Sequence, residues 1–245
     1  MRRGSPSPLQ LPPLTPATKK LMFVLGGIFL AQVLVRIVLG FSTPRYAEVF
    51  EWNLGLSASG LLEYGKVWTL LTWFWCAPLN SVFGILFTLL MLWFFGPALE
   101  MRVGAARLVA AFVFAGFFSG VVGIGAAAIA GPSSSLWALP MVGTHGAVAG
   151  LLAFLFWLER ESYFNVFVAE VKGLHLLLFF AAMHLLQGAL THPLLAAVPI
   201  GGMLAGMLSG SQRDPWRLWE SYKLSRIRRR VRLISGGKDD RDFLN

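Results

Sequence analysis

The sequence predicts an all-α polytopic membrane protein, a bundle of six transmembrane helices, on three observations. Of 245 residues, 56% are hydrophobic and only 13% are charged, whereas a soluble domain carries roughly 25% charged residues. Six apolar runs, at 21–39, 82–99, 108–130, 143–158, 173–190 and 193–210, approach or reach the roughly 17–25 residues that cross a bilayer as a helix. The lysines and arginines, finally, alternate from loop to loop as the two sides of a membrane require.

Taken in order, residues 1–20, "MRRGSPSPLQLPPLTPATKK", hold five prolines and little apolar periodicity, which marks a flexible cytoplasmic lead. The run at 21–39 follows them as a true span. It is long, sits behind twenty polar and proline-rich residues, and lacks the small-residue site of a cleavable signal. Arg36 near its end is expected to snorkel to the interface. The loop at 41–81 carries Trp52, Trp68, Trp73 and Trp75. Tryptophan favours the membrane interface, where its ring is half buried and its N–H stays wet, so this loop is expected to dip into the outer leaflet. The third run contains no charge. The fifth holds His175, His184 and Gln187, and the last two, one turn apart, are expected to hydrogen-bond across helices. The tail at 211–245 contains "DPWRLWESYKLSRIRRRVRL", with Trp216, Leu218, Trp219, Leu224 and Ile227. It reads equally as a basic amphipathic helix on the inner surface and as a solvated tail that only fixes topology.

Of 21 lysines and arginines, four precede the first run and ten follow Gly210. Arg102 and Arg107, then Arg160 and Lys172, occupy loops on that same side, against Arg45 and Lys66 opposite. The positive-inside rule therefore places both termini in the cytoplasm, and the net charge of +9 is a topology signal rather than a nucleic-acid footprint. The tail's natural contact is anionic lipid of the bilayer. A single cysteine, Cys76, excludes an intrachain disulfide.

Two glycine patterns describe the packing. "GAVAG", with Gly146 and Gly150, and "GGMLAGMLSG", with Gly202 and Gly206, are small-xxx-small spacings that let helices approach closely. They place the fourth and sixth runs face to face, with His145 near one end of the seam.

In order and approximate spacing, "GKVWTLLTWFW", "LWFFGPALEMRVG", "GTHGAVAGLLAF" and "IGGMLAGML" resemble the rhomboid family of intramembrane serine proteases. The resemblance covers roughly residues 60–210, "LWFFGPALE" is its most specific piece, and the terminal "GKDDRDFLN" also looks like the ends of bacterial members. It implies a six-helix rhomboid-like bundle with a membrane-dipping loop after the first helix. It also implies a nucleophilic serine on helix four, in Gly-x-Ser-Gly, and a histidine base on helix six. Here the serine position of Gly143-Thr144-His145-Gly146 is His145. The base position, in Val198-Pro199-Ile200-Gly201-Gly202, is Pro199. The helix-two pair that supports the oxyanion falls on Gly84 and Thr88, and the loop's Trp-Arg pair on Trp68-Thr69. Packing residues are retained and chemical residues are replaced.

No other set takes over convincingly. A nucleophile needs a base within hydrogen-bond reach and donors for the oxyanion. Thr144 and His145 are consecutive, so their side chains diverge by about 100° on a helix. Cys76 with His145 is an alternative thiol–imidazole pair, and Ser119 and Ser209 read as packing residues. His145, His175, His184 and His192 have no i,i+4 spacing, and the runs contain no acidic residue, so neither a metal nor a cofactor is expected. His192-Pro193 reads as a turn. A transporter is disfavoured, because no inverted repeat and no intramembrane carboxylate is seen.

The expectation is a rhomboid-like pseudoprotease of a bacterial inner membrane that binds the transmembrane segments of client proteins without cleaving them. Trp68, Trp73, Trp75 and His145 are the candidate client contacts. His145 is expected to sit buried or half-buried, donate to a carbonyl of the loop or of helix six, and plug the cleft. The alternative is an active rhomboid protease with an unorthodox active site.

Overall fold

The computed structural model describes residues 13–40, 49–79, 81–166, 169–191 and 193–211. Most of the proline-rich lead, the start of the first loop, His192 and the basic tail after Ser211 lie outside the described residues.

Six long helices carry the fold: α1 (Pro16–Gly40), α5 (Val82–Val103), α6 (Ala105–Ala130), α8 (His145–Leu158), α9 (Gly173–Leu190) and α10 (Pro193–Gly210). Short helices α2 (Val49–Leu54), α3 (Ala58–Leu62), α4 (Thr69–Thr72) and a 3-10 turn at Trp73–Trp75 build the first loop, and α7 (Ser135–Ala138) the third. A hairpin of β1 (Tyr163–Val166) and β2 (Ala169–Lys172), pairing Tyr163 with Lys172, joins α8 to α9.

Two helix boundaries depart from the apolar runs for one shared reason. α1 starts at Pro16, so residues 16–20 are helical and not part of a flexible lead. Proline suits a first helical turn, where its missing N–H is not needed. α5 continues past residue 99 to Val103, and so includes Glu100. The Glu100 carboxylate, only 7% exposed, accepts hydrogen bonds from the amides of Ala17 (3.0 Å) and Thr18 (2.7 Å), from the Thr18 hydroxyl (2.9 Å), and from Thr15. It caps the open amides at the start of α1. Gly96, one turn earlier on α5, leaves the space that the Thr18 side chain fills. The expectation of helices free of carboxylates is thus corrected: Glu100 is a buried one, and capping α1 occupies it.

Among the described residues, four helices are long and apolar enough to cross a membrane: Pro16–Val38, Val82–Val103, Ala105–Ala130 and Gly173–Leu190. α8, with 14 residues, is shorter, and together with α10 it forms the centre. Every residue from Gly146 to Phe156 is buried, the all-round apolarity of a helix enclosed by others. α5, α6, α9 and α10 pack around it, while α5 and α9 do not pack extensively on each other. α8 and α10 run parallel. A Cβ on Gly202 would lie 1.9 Å from the Gly146 carbonyl oxygen, and one on Gly206 1.9 Å from that of Gly150. The two backbones touch at both levels.

The helices alternate in direction so that the ends bearing Lys19, Lys20, Arg102, Arg107, Arg160 and Lys172 gather at one face of the bundle. There Arg102 pairs with Glu159, and Arg107 donates to the Ser209 carbonyl at 3.0 Å and stacks over Phe154. Arg36 is exposed towards the other end of α1.

The first loop is fastened at that opposite end. Leu56 and Met141 exchange backbone hydrogen bonds (2.9 and 2.7 Å), and the Gly143 amide donates to the Trp73 carbonyl (3.2 Å). The fully buried Gln32 of α1 clamps Ala77, donating to its carbonyl at 3.3 Å and accepting from its amide at 3.1 Å. Gln32→Leu is expected to loosen the loop. It should lower thermal stability by about 1–3 kcal/mol, the cost of leaving buried backbone groups unpaired, as read from melting in detergent. An unchanged melting temperature would show the clamp to be dispensable.

Candidate functional site

α8 sets the depth of the site. Its 14 residues span about 21 Å at about 1.5 Å per residue, short of a hydrocarbon core about 30 Å thick. Because its C-terminus sits at the Arg102–Glu159 face, its first residue, His145, lies well below the opposite surface. Counting along the other helices from that same face brings polar residues to the same level. Thr88 is 15 residues from Val103 on α5, Ser119 is 14 from Ala105 on α6, and His184 is 11 from Gly173 on α9. Pro199 is 11 from Gly210 on α10, so all lie about 17–22 Å from the face.

The sequence-derived positions divide at this level. Thr144 and Thr88, 2% and 4% exposed, hydrogen-bond through their hydroxyls at 3.0 Å. Thr144 is thereby turned away from His145, and it provides no side-chain cap for α8. Gly84 faces its own helix start: its amide donates to the Ser81 hydroxyl at 3.2 Å, and a Cβ would run into that hydroxyl. Ser119 is fully buried, donates to the Gly116 carbonyl at 2.9 Å, and packs on Gly146. Pro199 is buried in α10 one turn before Gly202, and its neighbour Val198 packs between Gly123 and Gly146. The ring offers no donor and no titratable group.

His145 departs from expectation. It is exposed, folds back over Gly143, and has no hydrogen-bond partner among the described residues. The expected bond to a carbonyl of the loop or of helix six is not made among the described residues; the Trp73 carbonyl of the loop accepts from the Gly143 amide. His184 is half-buried on α9, one helical turn from Gln187. It lies within electrostatic reach of His145.

The other candidates are placed elsewhere. Trp73 is 1% exposed and lies against Gly120 of α6, so it is a packing residue and not a client contact. Trp75 packs at a tilt against Phe112, with ring centroids 5.3 Å apart. Trp68 remains half exposed, its indole donating to the Asn53 carbonyl at 3.0 Å. Cys76 is buried, and burial, assisted by the charge of Glu51, pushes its thiol up to about 11. It is protonated at neutral pH and a poor nucleophile. Ser209 donates back to the Ala205 carbonyl at 3.0 Å, as a packing residue does. His175 is exposed on α9. No group of three metal-ligating side chains occurs among the described residues. A small crevice between α5 and α8 is lined by apolar side chains, among them Met91, Phe95, Val148 and Leu152.

Three features were not read from the sequence. They are the Thr88–Thr144 bond, the Gln32 clamp and the common depth of His145 and His184. The last had a usable signal, because 145 and 184 are nearly equidistant from the charged loop that joins α8 to α9.

The family model of the Rhomboid domain matches residues 64–212, from the end of α3 through α10. Among curated proteins nothing matches.

Proposed function

This chain belongs to the rhomboid family, and from that membership we propose that it is a pseudoprotease, holding the transmembrane helices of client proteins without cutting them. The observation that carries the reading is the pair of replacements His145 and Pro199, at the family's nucleophile and base positions. Pro199 cannot accept a proton, and an unassisted nucleophile loses most of its rate, since triad members act as a unit. The described hydroxyls at this level favour the same reading: Thr88, Thr144 and Ser119 are all buried and all engaged in hydrogen bonds. We further place the protein in a bacterial inner membrane with both termini in the cytoplasm. Support for that comes from the lysines and arginines gathered at one face of the bundle.

The test is serine-directed fluorophosphonate labelling of the purified protein together with cleavage of a helical reporter. Neither labelling nor cleavage is expected. Stoichiometric labelling abolished by one serine substitution would establish the active-protease alternative instead.

Restoring His145→Ser and Pro199→His together is expected to leave cleavage at least about 100-fold below that of a working enzyme. Gly84 supplies no side chain, and Thr88 is held by Thr144; one missing oxyanion donor alone costs roughly 100- to 1000-fold. Reporter cleavage by the double variant measures this directly, and robust turnover would show the scaffold still competent.

A further inference from the structure

We propose that His145 and His184 together form a polar contact within the membrane that selects client helices carrying a carboxylic side chain at the same depth. The inference rests on the client-binding reading and deepens it.

The two rings come from different helices that pack on one another, α8 and α9. Each lies about 17–20 Å from the charged face of the bundle. An exposed imidazole at this depth is costly unless it meets a polar partner, and polar groups inside a membrane mark functional positions for that reason. His145 has no hydrogen-bond partner among the described residues, and His184 is half-buried one helical turn from Gln187. At about the same depth by helical rise, α5 offers Thr88, α6 Ser119, α8 Thr144, α9 Gln187 and α10 Pro199. None of these titrates, and both buried hydroxyl systems are already satisfied.

The charge pattern fixes the kind of partner. Two imidazoles in electrostatic reach repel each other once both are protonated. A carboxylate between them relieves that repulsion, and a protonated carboxyl still matches a neutral imidazole, donor to acceptor and acceptor to donor. A lysine or arginine adds to the repulsion. An amide hydrogen-bonds but cannot neutralise charge. The neighbouring surface suits a helix as the carrier, because Leu178, Phe179, Met183, Leu185 and Leu186 of α9 are exposed and apolar.

The experiment uses the full chain in phosphatidylcholine nanodiscs. Fluorescent Leu/Ala transmembrane peptides with a central Asp, Asn, Lys or Leu are titrated by energy transfer. The Asp peptide is expected to bind at least tenfold more tightly than the Leu peptide, with Asn between them and Lys weakest. Shifting the Asp by two helical turns should remove the preference. His145→Phe should abolish it, His184→Phe should reduce it, and His145→Gln should leave only the Asn-level preference. Equal affinity for Asp and Leu peptides would overturn the proposal while leaving client binding intact. So would an Asp preference that survives both His145→Phe and His145→Gln. Failure of every peptide to bind would overturn the client-binding reading itself.

Discussion

Gly206→Leu is expected to leave no stably folded protein in detergent. The contact at this position is backbone on backbone: even the first added carbon would lie 1.9 Å from the Gly150 carbonyl oxygen, with no flexible side chain to move aside. Association of membrane helices relies on such close packing, because lipid is as apolar as the helices themselves. Overpacking a core typically costs about 1–3 kcal/mol. Here Gly206→Ala alone should reach the top of that range, and leucine should separate α8 from α10 over several turns. Gly125→Leu is the matched control, since nothing lies within 4 Å of a Cβ there; it should melt within a few degrees of the natural protein. His145→Ala should be equally mild, because the ring is exposed and makes no hydrogen bond among the described residues. Thermal unfolding of the four variants separates these effects. A Gly206→Leu protein as stable as the Gly125→Leu control would mean that α8 and α10 do not meet as described.

The seam was legible because its signal is local: two pairs of glycines at i,i+4 spacing, each on one face of an apolar run. The four long apolar helices were legible for a similar reason, since bilayer thickness imposes a length on a span. What escaped was set by contacts distant in sequence. The run ending at residue 99 was cut short by the charge of Glu100, yet that carboxylate finds its donors 82 to 85 residues away at the start of α1. Charge ended the apolar pattern without ending the helix. Thr88 and Thr144 are 56 residues apart, and nothing in either local sequence announces the pairing. The exposure of His145 was missed for a third reason. It follows from α8 being shorter than the membrane is thick while its other end is held at the charged face, and a hydropathy run alone does not say which end is anchored.

Glu100→Ala is expected to detach the start of α1 and to cost about 3 kcal/mol or more. A carboxylate at a helix N-terminus is favoured by the open amides and by the helix dipole, most strongly where it is partly buried. Hydrogen bonds to a charged group are worth about 1.5–3 kcal/mol each, and donors left unpaired in a buried setting add their own cost. Alanine strands the Ala17 and Thr18 amides and two threonine hydroxyls at once. Glu100→Gln keeps one acceptor but turns an NH2 group towards those donors, so it should fall between alanine and the natural residue. Melting in detergent and hydrogen exchange at the first-turn amides of α1 report the loss, and the amides should lose protection before the rest of the bundle does. Gly96 supplies an independent check. An added Cβ there would lie 2.5 Å from the Thr18 methyl carbon, so Gly96→Ala should also loosen α1. That damage should be partly relieved in combination with Thr18→Ala, which removes the overlapping methyl and the hydroxyl while leaving the hydrogen bond from the residue-18 amide to Glu100. Unchanged protection in Glu100→Ala would mean that α1 is held by its apolar face alone. Additive rather than compensating losses in the Gly96–Thr18 pair would mean that the two side chains do not meet.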